Sequence, residues 1–134
     1  MGSSKWYKEN GAPGAEYKVT GQTANGIKIV KAVDDNSQKT PLFSNTPYTM
    51  YASLKGDTGK VKQITAYGKG KDGRAKLKDI DIGHKHTNKR NGLRFRETDV
   101  HVHGYDENGV RSNEARRPSK KEKRLIMQAL HGRG

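Results

Sequence analysis

Apolar and polar residues alternate along most of this chain, and the period lengthens only near the carboxyl end. Tyr17 to Thr20 and Ile27 to Val33 read as short strands flanking Ala24-Asn25-Gly26, and Asn-Gly signals a hairpin because both positions tolerate positive φ. Thr49 to Leu54, Val61 to Tyr67 and Ala75 to Ile82 continue as a meander, broken by glycine turns at Lys55-Gly56-Asp57-Thr58-Gly59 and Lys71-Asp72-Gly73. A polar, basic connection leads to another strand over Asp99 to Tyr105, which Asp106-Glu107-Asn108-Gly109 turns back into Val110-Arg111. Beyond it, Leu125, Ile126, Ala129 and Leu130 share one helical face, Ser119 and Glu122 have capping-box spacing, and Gly132 is placed to stop the helix. Asp34 to Pro47 reads as a long polar loop. Residues 1–15 read as a Gly/Ser/Pro-rich linker with a leader-like Met1-Gly2-Ser3-Ser4. The expectation is one α+β domain over residues 16–134: a twisted antiparallel β-sheet of about five or six strands in meander order with a C-terminal helix.

Strand parity singles out the stretch from Lys78 to Tyr105. Ile80 and Ile82 share one side and Asp79 and Asp81 the other; in Asp-Val-His-Val-His, Val100 and Val102 oppose His101 and His103. Sequential strands usually lie in one sheet, which would bring both carboxylates and both imidazoles onto one face, with His84 and His86 at its rim. That face is expected to be wet, with the imidazoles contributing little packing. His131 lies apart, in the tail.

Composition adds a bias toward polyanions. The net charge is +13, and it is uneven: nine lysines meet five acids as far as Tyr67, whereas eighteen bases meet nine acids after it. A field of this size attracts nucleic acid. Hydrophobic residues make up only 30 % and the mean hydropathy is -1.08, so the core must be thin. The absence of cysteine excludes disulfides and thiolate metal sites. No apolar run is long enough to span a membrane.

Cleavage of RNA through its own 2′-hydroxyl needs a base, an acid and cations for the developing charge. Imidazoles serve the first two near neutral pH, and Lys and Arg serve the third. His101 and His103 are the first catalytic candidates and His84 the next, with Asp79 or Asp81 orienting a ring. Arg94, Arg96, Lys89, Arg116, Arg117 and Lys120 are candidates for phosphate contact. The basic start of the helix opposes the helix dipole, so stability alone explains it poorly; anion contact is one reading of it and a solvated helix face the other. This chemistry uses no cofactor. The alternative is a metal-dependent DNase, in which Asp79, Asp81, His84, His86, His101 and His103 offer ligands to Zn or Mn.

Ser44-Asn45-Thr46-Pro47, Tyr51-Ala52-Ser53-Leu54, Val61-Lys62-Gln63-Ile64, Asp79-Ile80-Asp81-Ile82-Gly83-His84, His101-Val102-His103-Gly104-Tyr105-Asp106 and Arg116-Arg117-Pro118 before a helix fall within a stretch of roughly residues 42–130. Together they resemble C-terminal modules of bacterial polymorphic toxins and of prophage minor-capsid-type proteins. The resemblance implies a nuclease, many such modules being metal-independent ribonucleases, and an acidic cognate immunity protein as partner. It also implies export as part of a larger bacterial protein, with action in the cytoplasm of a competing target cell. The capsid-associated relatives imply instead a non-catalytic nucleic-acid-binding or structural module of a phage particle.

Overall fold

The computed structural model describes residues 17–32, 40–41, 43–44, 46–54 and 59–131; the amino-terminal linker and Gly132 lie outside them. Six strands form one sheet in the order β1 (Tyr17–Gln22), β2 (Lys28–Ala32), β3 (Met50–Leu54), β4 (Val61–Lys69), β5 (Ala75–Asp81) and β8 (His101–Gly104). The connection between β5 and β8 carries a separate two-stranded ribbon, β6 (His86–Thr87) with β7 (Arg94–Phe95). One helix, α1 (Lys120–His131), follows. The architecture is α+β, as expected. Four of the five pairings are antiparallel; β2 and β3 run parallel, which a tight turn cannot achieve. In the first hairpin only Gly26 takes positive φ, at 93°, and its N–H donates to Thr23 O at 3.0 Å.

Register explains the two faces. Ile29, Ala52, Ile64, Ile80 and Val102 lie opposite one another across five strands, and each is at most 2 % exposed. Ile126 and Ala129 of α1 pack onto this apolar row with Leu54, Val61 and Ile27, and Leu125 and Leu130 flank it. On the reverse face, the rows Tyr51-Thr65-Asp79-His103 and Ser53-Gln63-Asp81-His101 run across the same strands. That side is closed by Thr40 and Pro41, whose backbone O accepts a hydrogen bond from Tyr67 Oη at 2.5 Å.

The capping box forms as its spacing predicts. Glu122 N–H donates to Ser119 Oγ at 3.2 Å, and Glu122 Oε1 accepts from Ser119 N–H at 2.8 Å. The same carboxylate accepts two bonds from Arg116, at 2.7 and 2.8 Å, and one from Lys78 Nζ at 2.7 Å. It therefore ties the first turn of α1 to β5 and to the segment leading into the helix. The Arg116 hydrogen bonds, reinforced by Lys78 and the Ser119 N–H, hold its carboxyl well below the ordinary 4.5 despite burial.

Candidate active site

Parity places Asp79, Asp81, His101 and His103 on one face, as expected, and the register makes the pairing direct: Asp79 opposes His103 and Asp81 opposes His101. The expectation of a wet face is overturned. His101 is 0 %, His103 3 %, Asp79 1 % and Asp81 5 % exposed. The reason is the cover. The ribbon of β6 and β7 folds His86 and Phe95 over the imidazoles, with ring centroids 5.3 and 5.2 Å from His101. The segment after Tyr105 returns along β8, where Val102 and Arg116 exchange backbone hydrogen bonds. These imidazoles are packing elements as well as chemical groups.

The carboxylates are compensated by residues that the alternation alone did not single out. Asp79 accepts from Thr65 Oγ1 and from Tyr105 Oη, both at 2.5 Å, and pairs with Lys76 Nζ at 3.4 Å and Arg111 Nε at 3.4 Å. Asp81 accepts from Gln63 Nε2 at 2.7 Å and from the Arg111 guanidinium at 2.5 Å. Lys76 reaches Asp79, three residues away, because the register slips between Ala66 and Tyr67 and leaves Leu77 as an extra residue. A visible signal for part of this network was present in β4, where Gln63 and Thr65 share one parity on either side of Ile64. Burial alone would raise the Asp81 carboxyl; the adjacent His101, the Gln63 amide and Arg111 more than reverse this, and it sits well below the usual carboxylate range. Burial lowers Lys76 despite Asp79, and burial with the Asp79 charge raises the Tyr105 phenol. Burial also lowers His103 from 6.5, against the pull of Ser112.

Hydrogen bonds fix two of the rings. His103 Nδ1 lies 2.8 Å from Ser112 O, an acceptor, so it carries a proton. His86 Nε2 lies 2.9 Å from Asn88 Oδ1 and 3.0 Å from Asn113 O. Asn88 is itself oriented by donating to Ala115 O at 2.7 Å and accepting from Ala115 N–H at 2.6 Å, so both neighbours of His86 Nε2 are acceptors and that nitrogen too bears its proton. His101 differs: neither ring nitrogen has a hydrogen-bond partner, though Nε2 lies 3.4 Å from Asp81 Oδ2. One nitrogen from each of His86, His101 and His103 lies within 4.8 Å of the others.

His84 is exposed at the rim, its ring 6.0 Å from that of His101. Beside the cluster, a cleft of about 770 Å³ is lined by Arg94, Phe95, Arg96, Arg117, Lys123 and Ile126. Phe95 is common to both sites. Arg94, Arg96 and Arg117 are exposed, and so are Lys89 and Lys120 outside the cleft; Arg96 pairs with Asp99 at 3.2 Å. Arg116 is held by Glu122, which gives this cation a structural partner where sequence suggested a phosphate. His131 ends α1 and is not among the clustered histidines. Among the described residues, no helix is long and apolar enough to cross a membrane. No family model, curated protein or solved structure matches the chain.

Proposed function

We propose that this chain is an endoribonuclease of the toxin type, with the histidine cluster as its reaction centre and the neighbouring basic cleft as the surface that holds substrate phosphates. The reading rests on one convergence: four histidines from two separate segments meet beside a cleft lined by four cations, with Phe95 in contact with both. His84, the exposed ring, meets the substrate and moves a proton. His86 stands half-buried behind it, and His101 and His103 lie beneath. Arg94, Arg96, Arg117 and Lys123 take the phosphates, and Lys89 and Lys120 extend the positive surface. An acidic immunity protein would cover the same surface, and export within a larger bacterial protein would deliver the domain to the target-cell cytoplasm.

The test is cleavage of a defined RNA alongside its 2′-O-methylated copy and the matching DNA. RNA alone should be cut, leaving a 2′,3′-cyclic phosphate, because the 2′-oxygen is the nucleophile. His84→Ala should lower the rate by ~10² to 10⁴ while leaving stability within ~0.5 kcal/mol. Cutting of the methylated RNA or of DNA would replace this reading with hydrolysis by external water. Salt-dependent binding without any cleavage would leave a nucleic-acid-binding module.

A further inference from the structure

We propose that His86, His101 and His103 form a zinc-class metal site, with the three imidazoles as ligands and one coordination position left for solvent or substrate. The inference gives the proposed nuclease centre a cofactor, and rests on the nuclease reading for its use but not for the binding itself.

Three independent features of the cluster point to a cation. First, the proton on His86 Nε2 and that on His103 Nδ1 are each committed to acceptors: Asn88 Oδ1 and Asn113 O for one, Ser112 O for the other. In the neutral rings, His86 Nδ1 and His103 Nε2 therefore present bare lone pairs. Metal-binding histidines show this arrangement, because a carbonyl on the far nitrogen fixes the tautomer and raises the basicity of the near one.

Second, His101 is fully buried and neither of its nitrogens has a hydrogen-bond partner. Leaving a buried polar group unsatisfied is costly, and among the described residues no other buried side-chain nitrogen or oxygen is left so. The surrounding network satisfies Asp79, Asp81, Gln63, Thr65 and Asn88 in full view of this omission. A metal ion would complete it.

Third, the spacing fits. One nitrogen of each ring lies within 4.8 Å of the others, close enough for small side-chain shifts to bring them to Zn–N bonds of ~2.0–2.1 Å. Asp81 Oδ2 stands 3.4 Å from His101 Nε2 and 3.8 Å from His103 Nε2, so a carboxylate charge lies beside the site. Arg111 holds that carboxylate at 2.5 Å, which leaves it as a neighbour and not a fourth ligand. Three protein ligands with an open position is the pattern of catalytic zinc, and an all-imidazole set favours zinc over manganese. His86, half-buried, is on the side from which solvent enters.

The full chain, stripped with chelator, is titrated with Zn²⁺ and with Co²⁺, the latter followed by its visible ligand-field bands. About one ion per chain should bind, with the band intensity of a low-coordinate site. The zinc-loaded protein should show imidazole nitrogen scattering in its X-ray absorption spectrum. His86→Ala and His103→Ala, each first checked for a folded melting transition, should lose more affinity than the ~10–100-fold typical of second-shell changes; His131→Ala should lose none. Failure of the wild-type chain to bind either ion would overturn the site, as would undiminished binding in both folded variants or a first shell dominated by carboxylate oxygen. RNA cleavage is not the readout: zinc binding without cleavage keeps the site and removes the nuclease reading, and cleavage by a chain that binds no metal does the reverse.

Discussion

The two faces of the central sheet are built from the same strands and are equally dry, but they stay dry for opposite reasons. On β5, Ile80 and Asp79 are neighbours, each 1 % exposed. Ile80 is buried because an apolar row and α1 cover it, and its contacts are interchangeable in kind. Asp79 is buried because four specific partners, Thr65, Tyr105, Lys76 and Arg111, replace water around it. An apolar face tolerates approximate chemistry, whereas a buried polar face is stable only when every member is satisfied. Against that standard, the two unpartnered nitrogens of His101 stand apart from the rest of the polar face.

The comparison breaks most sharply at Asp79. Asp79→Ala should cost about 3–5 kcal/mol, because removing one partner strands the buried Lys76 ammonium and the Tyr105 hydroxyl; denaturant unfolding measures it. Glu122→Gln tests a carboxylate that anchors the helix on the apolar side. At neutral pH it should cost about 2 kcal/mol through weakened charge-assisted bonds to Arg116 and Lys78. Because the folded carboxyl is held below 4.5, its contribution is complete above that pH and is lost as pH falls through the folded value. The difference in melting temperature between wild type and variant should therefore narrow below about pH 4.5; a constant difference would mean that charge plays no part. The smallest effect belongs to Ile80→Val, about 1 kcal/mol. A loss there equal to that of Asp79→Ala would erase the distinction between the faces.

Much of the frame was legible because it is local. Alternation located the strands of the sheet, and parity correctly put Asp79, Asp81, His101 and His103 together. The Ser119 and Glu122 spacing announced the helix start. Burial was not legible, since it depends on what lies over a face. Here that cover comes from β6 and β7, which lie in a stretch that reads only as polar and basic, and from the return after Tyr105. Lys76 was hidden for another reason: simple parity separates it from Asp79, and only the extra residue at Leu77 reunites them. Arg111 sits in a short return whose sequence gives no hint that it reaches two aspartates 30 and 32 residues earlier.

The long reach of these contacts also orders events in time. Tyr67 meets Pro41 across 26 residues, Tyr105 meets Asp79 across 26, and Arg111 meets Asp81 across 30. Contacts so distant along the chain close slowly, because loop entropy must be surrendered before they form. During synthesis, β3, β4 and β5 exist before Tyr105 and Arg111 have been made, and until then Asp79 and Asp81 lack their outer partners. The histidine cluster is completed in that same late step, when β8 docks beside β5. A chain ending at β5 would thus hold most of a sheet and no histidine cluster, which arises only once β8 has been made and docked.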